Sequence, residues 1–91
     1  GMLLAHYAPN AKVELCNSFA EAEERRDRYT ADGVPVQILH HEDMVTYALS
    51  LYDDLRAADI NGIEVVIAVL PPDEGLGTAI RDRLSKASAS N

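Results

Sequence analysis

Several short runs in this chain have residue types and spacings that could do chemistry. His40-His41-Glu42-Asp43 sets two imidazoles beside two carboxylates, a donor set that suits a metal ion. Adjacent residues on an extended chain point to opposite sides, however, so the two histidines would not share an ion. A solvated turn leading into a helix is the better reading. Asp73-Glu74-Gly75-Leu76-Gly77 puts Gly75 and Gly77 where backbone can approach a ligand at a helix start. Its two acids stand where a phosphate would sit, and no G-x-x-x-x-G-K-[ST] pattern is present. Tight-turn packing is favoured there, with Gly75 and Gly77 kept as a candidate ligand edge. Cys16 has neither a following arginine-closed loop nor a C-x-x-C partner and reads as a structural thiol. Arg81, Arg83 and Lys86 fall near the end of the last helix, where cations compensate the helix dipole. No nucleophile elbow accompanies the hydroxyls, histidines and acids, so no catalytic and no metal-binding residue is assigned. One run is left: His6-Tyr7-Ala8-Pro9, behind an apolar Met2-Leu3-Leu4, ahead of any regular element.

The elements that would position these residues are legible from periodicity. VELC, residues 13–16, is short and β-prone. Ser18 with Glu21 makes an N-terminal capping box, and Phe19, Ala22, Arg26 and Tyr29 share a face, which predicts a helix over about 18–31 stopped by Gly33. VPVQIL is a second strand, with Pro35 near its start. Met44, Ala48, Leu51, Leu55 and Ala58 recur at steps of three and four, an amphipathic helix that opens with Glu42 and Asp43 in its first turn and ends at Asn61-Gly62. IEVVIAVL is a nearly continuous apolar run, as expected of a strand covered on both faces. Leu76, Ala79, Ile80, Leu84 and Ala87 mark a last helix. The order β-α-β-α-β-α predicts an α/β fold, a small three-layer Rossmann-like sheet, mostly parallel. Residues 1–12 stand apart as an arm, and residues 13–91 form the domain.

Bulk properties narrow the function. Ninety-one residues, 47% of them hydrophobic, suit one globular domain. Fifteen acidic against eight basic residues give a net charge of −7, which disfavours direct binding to nucleic acid or to an anionic membrane. One cysteine excludes an internal disulfide and suits a reducing, cytoplasmic setting. No apolar run reaches the ~20 residues of a membrane helix.

The ends of the chain carry a resemblance. Gly1-Met2, three variable residues and His6-Tyr7-Ala8-Pro9 resemble the interdomain linker Ser-Pro-Gly-Met-x-x-x-His-Tyr-Ala/Ser-Pro of the longer, two-domain threonylcarbamoyl-AMP synthases. LYDDLRAADINGIEVVIAVLPPDEGLGTAIRDRLSKAS resembles the close of the same family's C-terminal domain: Leu-Tyr/Phe-x-x-Leu-Arg, a glycine turn, an apolar strand, then Glu-Gly-Leu-Gly-x-Ala-x-x-x-Arg-Leu. The chain departs from the pattern at Leu3, Leu4 and Ala5, where many members carry a basic residue and a tyrosine, and at Asp82, where asparagine is usual.

The resemblance implies an accessory α/β domain with a Rossmann-like fold. In the family, a YrdC-type catalytic domain condenses L-threonine, bicarbonate and ATP into threonylcarbamoyl-AMP, which feeds threonylcarbamoyladenosine modification of tRNA. The linker lies across the catalytic pocket and touches the nucleotide, which carries over here to His6, Tyr7 and Pro9. The expectation is a domain that binds no cofactor and does not catalyse alone, with ATP and Mg belonging to the full enzyme. Its partner would be a YrdC-type domain in cis or in trans. An alternative is a free-standing acidic interaction module, which applies if Met2 begins the chain. Pairing of two copies through the apolar arm is also left open.

Overall fold

The structure, a computed structural model, describes residues 9–89. Strand β1 (Lys12–Cys16), helix α1 (Phe19–Ala31), strand β2 (Val36–Leu39), helix α2 (Met44–Ile60), strand β3 (Val65–Val69) and helix α3 (Leu76–Ala89) follow one another in the expected alternation. The three strands form one parallel sheet in the order β1-β3-β2. In register, Glu14 and Ile38 both lie beside Ile67, which fixes β3 as the central strand. All five of its residues are buried, as a run of valines and isoleucines covered on both faces requires.

Alternation along β3 divides the core in two. Val66 and Ala68 face α2 and α3, where they pack with Val13, Leu39, Tyr47, Leu51, Leu55, Ile80 and Leu84. Val65, Ile67 and Val69 face α1, with Cys16, Ala22, Val36 and Ile38. The period of two in the strand thus assigns one helix to one face and two to the other.

Local signals explain the element ends. Ser18 caps α1, its Oγ accepting from the Glu21 backbone N–H at 3.1 Å. In return the Glu21 carboxylate accepts from the Asn17 N–H, one residue upstream of the cap, at 3.3 Å. Asp43 caps α2 rather than lying inside its first turn as expected: its carboxylate takes both the backbone N–H and the hydroxyl of Thr46, at 2.8 and 2.7 Å. These bonds to the ionised form hold the Asp43 carboxyl below the usual range. Gly33 and Gly62, with φ of 76° and 75°, take the left-handed turns that release α1 and α2. Phe19, placed by periodicity on the same face as buried Ala22, is instead 42% exposed. It is the first residue of the helix, and its ring meets that of His40.

Candidate functional site

Parallel strands bring β1, β2 and β3 to a common carboxyl rim, the usual ligand end of an open α/β sheet. A cleft of about 220 Å³ opens there, lined by residues that include His40, His41, Glu42, Tyr47, Pro71 and Pro72. The two histidines part company, as their adjacency requires. His40 turns to the Phe19 ring, with centroids 5.1 Å apart. His41 places Nε2 2.7 Å from Asp54 Oδ2 on α2 and sets its ring edge-on to Tyr47 at 5.4 Å. Among the described residues, no group of three or more His, Cys, Asp or Glu is placed to hold a metal.

Tyr47 is the centre of this rim. It is fully buried, and its hydroxyl donates to the Val69 carbonyl at 2.8 Å and lies 3.3 Å from that of Leu39. One phenol therefore ties together the carboxyl ends of β2 and β3, whose last carbonyls have no further strand residue to pair with. Burial, with Cys16 and Asp54 nearby, pushes the phenol far above the ordinary tyrosine range. Tyr47 is not among the core-face residues that the periodicity predicts for this helix, although it lies three residues from Met44 and four from Leu51.

Beyond Val69 the chain turns through Pro71-Pro72-Asp73-Glu74 into α3, and here Gly75 is explained by its backbone conformation and Gly77 by packing. Gly75 has φ of 56° with open space around it. At Gly77, a Cβ would lie 2.0 Å from the Pro72 carbonyl oxygen, a distance that only the absence of a side chain permits. The Pro72 carbonyl already accepts from Glu74 N–H at 2.9 Å, and that of Pro71 from Arg81 at 2.9 Å. Asp73 is held by the Thr78 hydroxyl at 2.7 Å. The loop is a self-bonded turn, and its acids occupy the helix entrance that an anion would need. Arg81, expected to serve the helix dipole, instead reaches back to fasten this turn.

Cys16 is buried at the end of β1, its thiol directed at the Ser18 carbonyl, and burial raises it above the ordinary thiol range. That is the environment of a structural, unreactive cysteine. A second cavity, about 300 Å³, lies beside β1 and is lined by Glu14, Arg25, Arg28, Tyr29 and Asp32. The Glu14 carboxylate takes the Tyr29 hydroxyl and lies 3.4 Å from Arg25 and 3.5 Å from Lys12. The same bond raises the Tyr29 phenol. These charges saturate one another along an edge strand.

The arm meets the domain at the opposite, amino end of the sheet. Pro9 and Ala11 are buried. The backbone N–H groups of Asn10 and Ala11 both donate to the Asp59 carboxylate in the last turn of α2, at 3.0–3.1 Å. His6 and Tyr7 lie outside the described residues.

Comparison with known proteins decides what this geometry belongs to. The family described as the C-terminal domain of threonylcarbamoyl-AMP synthase matches residues 1–89. The chain belongs to that family. Its relatives include the threonylcarbamoyl-AMP synthases of Bacillus subtilis, 33% identical over 97% of this chain, and of Pyrococcus abyssi, 30% identical over 97%. In both cases the chain spans only 31% of the relative's length. Among solved structures, P. abyssi Sua5 in complex with L-threonine superposes with a TM-score of 0.77 at 25% identity, over 93% of this chain and 30% of that one. The isolated C-terminal Sua5 domain of Pyrococcus horikoshii superposes with a TM-score of 0.66 at 26% identity, over 86% of this chain and 93% of that one. The resemblance at the two ends of the sequence and the β-α-β-α-β-α sheet are thus both borne out. The described residues include no helix long and apolar enough to cross a membrane.

Proposed function

We propose that this chain is the accessory, lid-bearing domain of a threonylcarbamoyl-AMP synthase. It does no chemistry on its own, and it serves the cytoplasmic synthesis of threonylcarbamoyl-AMP from L-threonine, bicarbonate and ATP for tRNA modification. The observation that carries this reading is the family match over residues 1–89 of a chain that spans 31% of its relatives' length. The rim supports it from the other side. Ser18 and Asp43 cap α1 and α2, and Asp73 and Glu74 precede α3, so the places where a phosphate would meet a helix entrance carry the domain's own polar side chains. ATP and its metal belong to a YrdC-type catalytic domain, joined in the same polypeptide or met in trans.

The domain's contribution is conformational. The arm, through His6 and Tyr7, covers the catalytic pocket, excludes water and protects a labile mixed anhydride from hydrolysis, while Pro9, expected beside them, is buried at the arm's root in this domain. Fixing the arm's root matters for that role, and the Asp59 carboxylate is what fixes it.

The test adds this chain to the YrdC-type domain of the same genome, fused and unfused, and follows pyrophosphate and intact threonylcarbamoyl-AMP. The chain alone should release no pyrophosphate. With the catalytic domain it should raise the yield of intact adenylate, and His6→Ala with Tyr7→Ala should remove that gain. Unaided turnover of ATP by the ninety-one residues, or a catalytic domain indifferent to the chain, overturns the reading.

A further inference from the structure

Helix α2 is apolar on two faces. One is buried against the sheet: Tyr47, Leu51, Leu55 and Ala58 are all at most 2% exposed. The other looks outward. Val45, Leu49 and Ile60 are 53%, 78% and 76% exposed. Tyr52 and Arg56 continue the same line, the guanidinium lying 5.4 Å over the ring. Positions 45, 49, 52, 56 and 60 follow the three- and four-residue spacing of a single helix face, a stripe roughly 22 Å long. A helix that meets solvent on its outer side ordinarily carries charge there. Helix α1 does so with Glu23, Glu24, Asp27 and Arg28, and α3 with Asp82 and Lys86. Helix α2 presents Val45, Leu49 and Ile60 instead, with Arg56 as the charge within the line.

We propose that this outward face of α2 is the surface on which the catalytic domain of the same enzyme docks. The proposal deepens the reading given above and rests on it. Two observations select this occupant. The chain enters the domain over the last turn of α2, where Asn10 and Ala11 are tied to Asp59, immediately beside Ile60. The arm's root is therefore held at one end of the stripe, and a domain tethered through it meets this face at millimolar effective concentration. Charge works against the simplest rival, since two copies of a chain carrying −7 repel. Arg56 and the apolar line then form the centre of the contact, with Asp53 and Asp59 near its rim.

The test titrates the YrdC-type domain of the same genome into this chain up to about 1 mM, the range a tether supplies, and follows chemical shifts and sedimentation. The wild-type chain should bind. Leu49→Glu with Ile60→Glu should weaken binding at least tenfold. Phe19→Ser, which changes an exposed apolar residue on the helix packed on the other face of the sheet, should leave it within twofold. Helical circular dichroism confirms that each variant is folded. Unchanged binding by the double variant overturns the docking face and leaves the accessory role standing. Absence of binding by the wild type overturns both. A wild-type dimer that the double variant dissociates, with no binding to the catalytic domain, shows the stripe to be a self-interface and overturns the proposal.

Discussion

The carboxyl rim of the sheet gathers several side chains that could do chemistry, and each is spent on a neighbour within the domain. His41 is taken by Asp54, Tyr47 by two strand-end carbonyls, Asp43 by its own helix and Asp73 by Thr78. The outward face of α2 has almost no such groups, yet it is where the molecule is left incomplete, with three large aliphatic side chains half exposed or more. The difference teaches where to look in a domain of this family. A Rossmann-like sheet has a customary ligand end, but a fold does not supply a function. Here the customary end has been turned into internal fastening, and the unfastened surface lies on a helix.

The rim is sharpened as a structural device if disturbing it costs stability. The largest effect is expected at Gly77. A methyl group there meets the Pro72 carbonyl oxygen at 2.0 Å, a backbone atom that cannot swing away, so Gly77→Ala should destabilise the chain by roughly 2–3 kcal/mol, read as a lowered urea midpoint. A ligand-binding glycine would behave differently: its alanine variant would keep its stability.

Tyr47→Phe comes next. It leaves the Val69 and Leu39 carbonyls without their shared donor inside the core and should cost about 1–2 kcal/mol near neutral pH. The pH dependence carries more information. The folded-state phenol is raised by burial above the value of about 10 it has when unfolded. Its contribution is therefore complete below about pH 10 and is lost as the pH climbs from there through the folded-state value. Wild-type stability should decline on that alkaline limb, and Tyr47→Phe should flatten it, leaving the part due to Tyr29. An alkaline limb unchanged by the substitution would mean that Tyr47 is not the buried tie described here.

Much of this was legible in the sequence, and the boundary of legibility has a physical shape. The capping box at Ser18, the period of α2 and the doubly covered run of β3 are local, so propensity and pattern reach them. The family resemblance lay in two runs at the ends of the chain. Strand order was not legible: β3 slips between β1 and β2, and that choice is made by tertiary packing alone. The same holds for His41 with Asp54, thirteen residues apart, and for Asp59 with Asn10, forty-nine apart. Tyr47 was within reach, since its position matches the buried period, but a tyrosine is easily placed at a surface when its hydroxyl has no visible partner. The outward stripe of α2 was hidden for the opposite reason. Once Met44, Leu51 and Leu55 account for one apolar face, Val45, Leu49 and Ile60 read as noise in the pattern.

That noise yields the smallest stability effect and the most telling one. Leu49 is 78% exposed, so in this chain alone Leu49→Glu gives up little burial and adds a charge in water. Its unfolding free energy should stay within about 0.5 kcal/mol of wild type, measured by urea titration, with no loss of helix. Two residues along, Leu51 is 1% exposed on the buried face, and there the same charge would have to enter the core. A Leu49→Glu chain as unstable as one altered in its core would mean that the stripe is already covered within this domain. A chain of unchanged stability places the cost of the substitution entirely in what the domain meets, which is where an aliphatic residue held in water by an otherwise acidic protein has a reason to be.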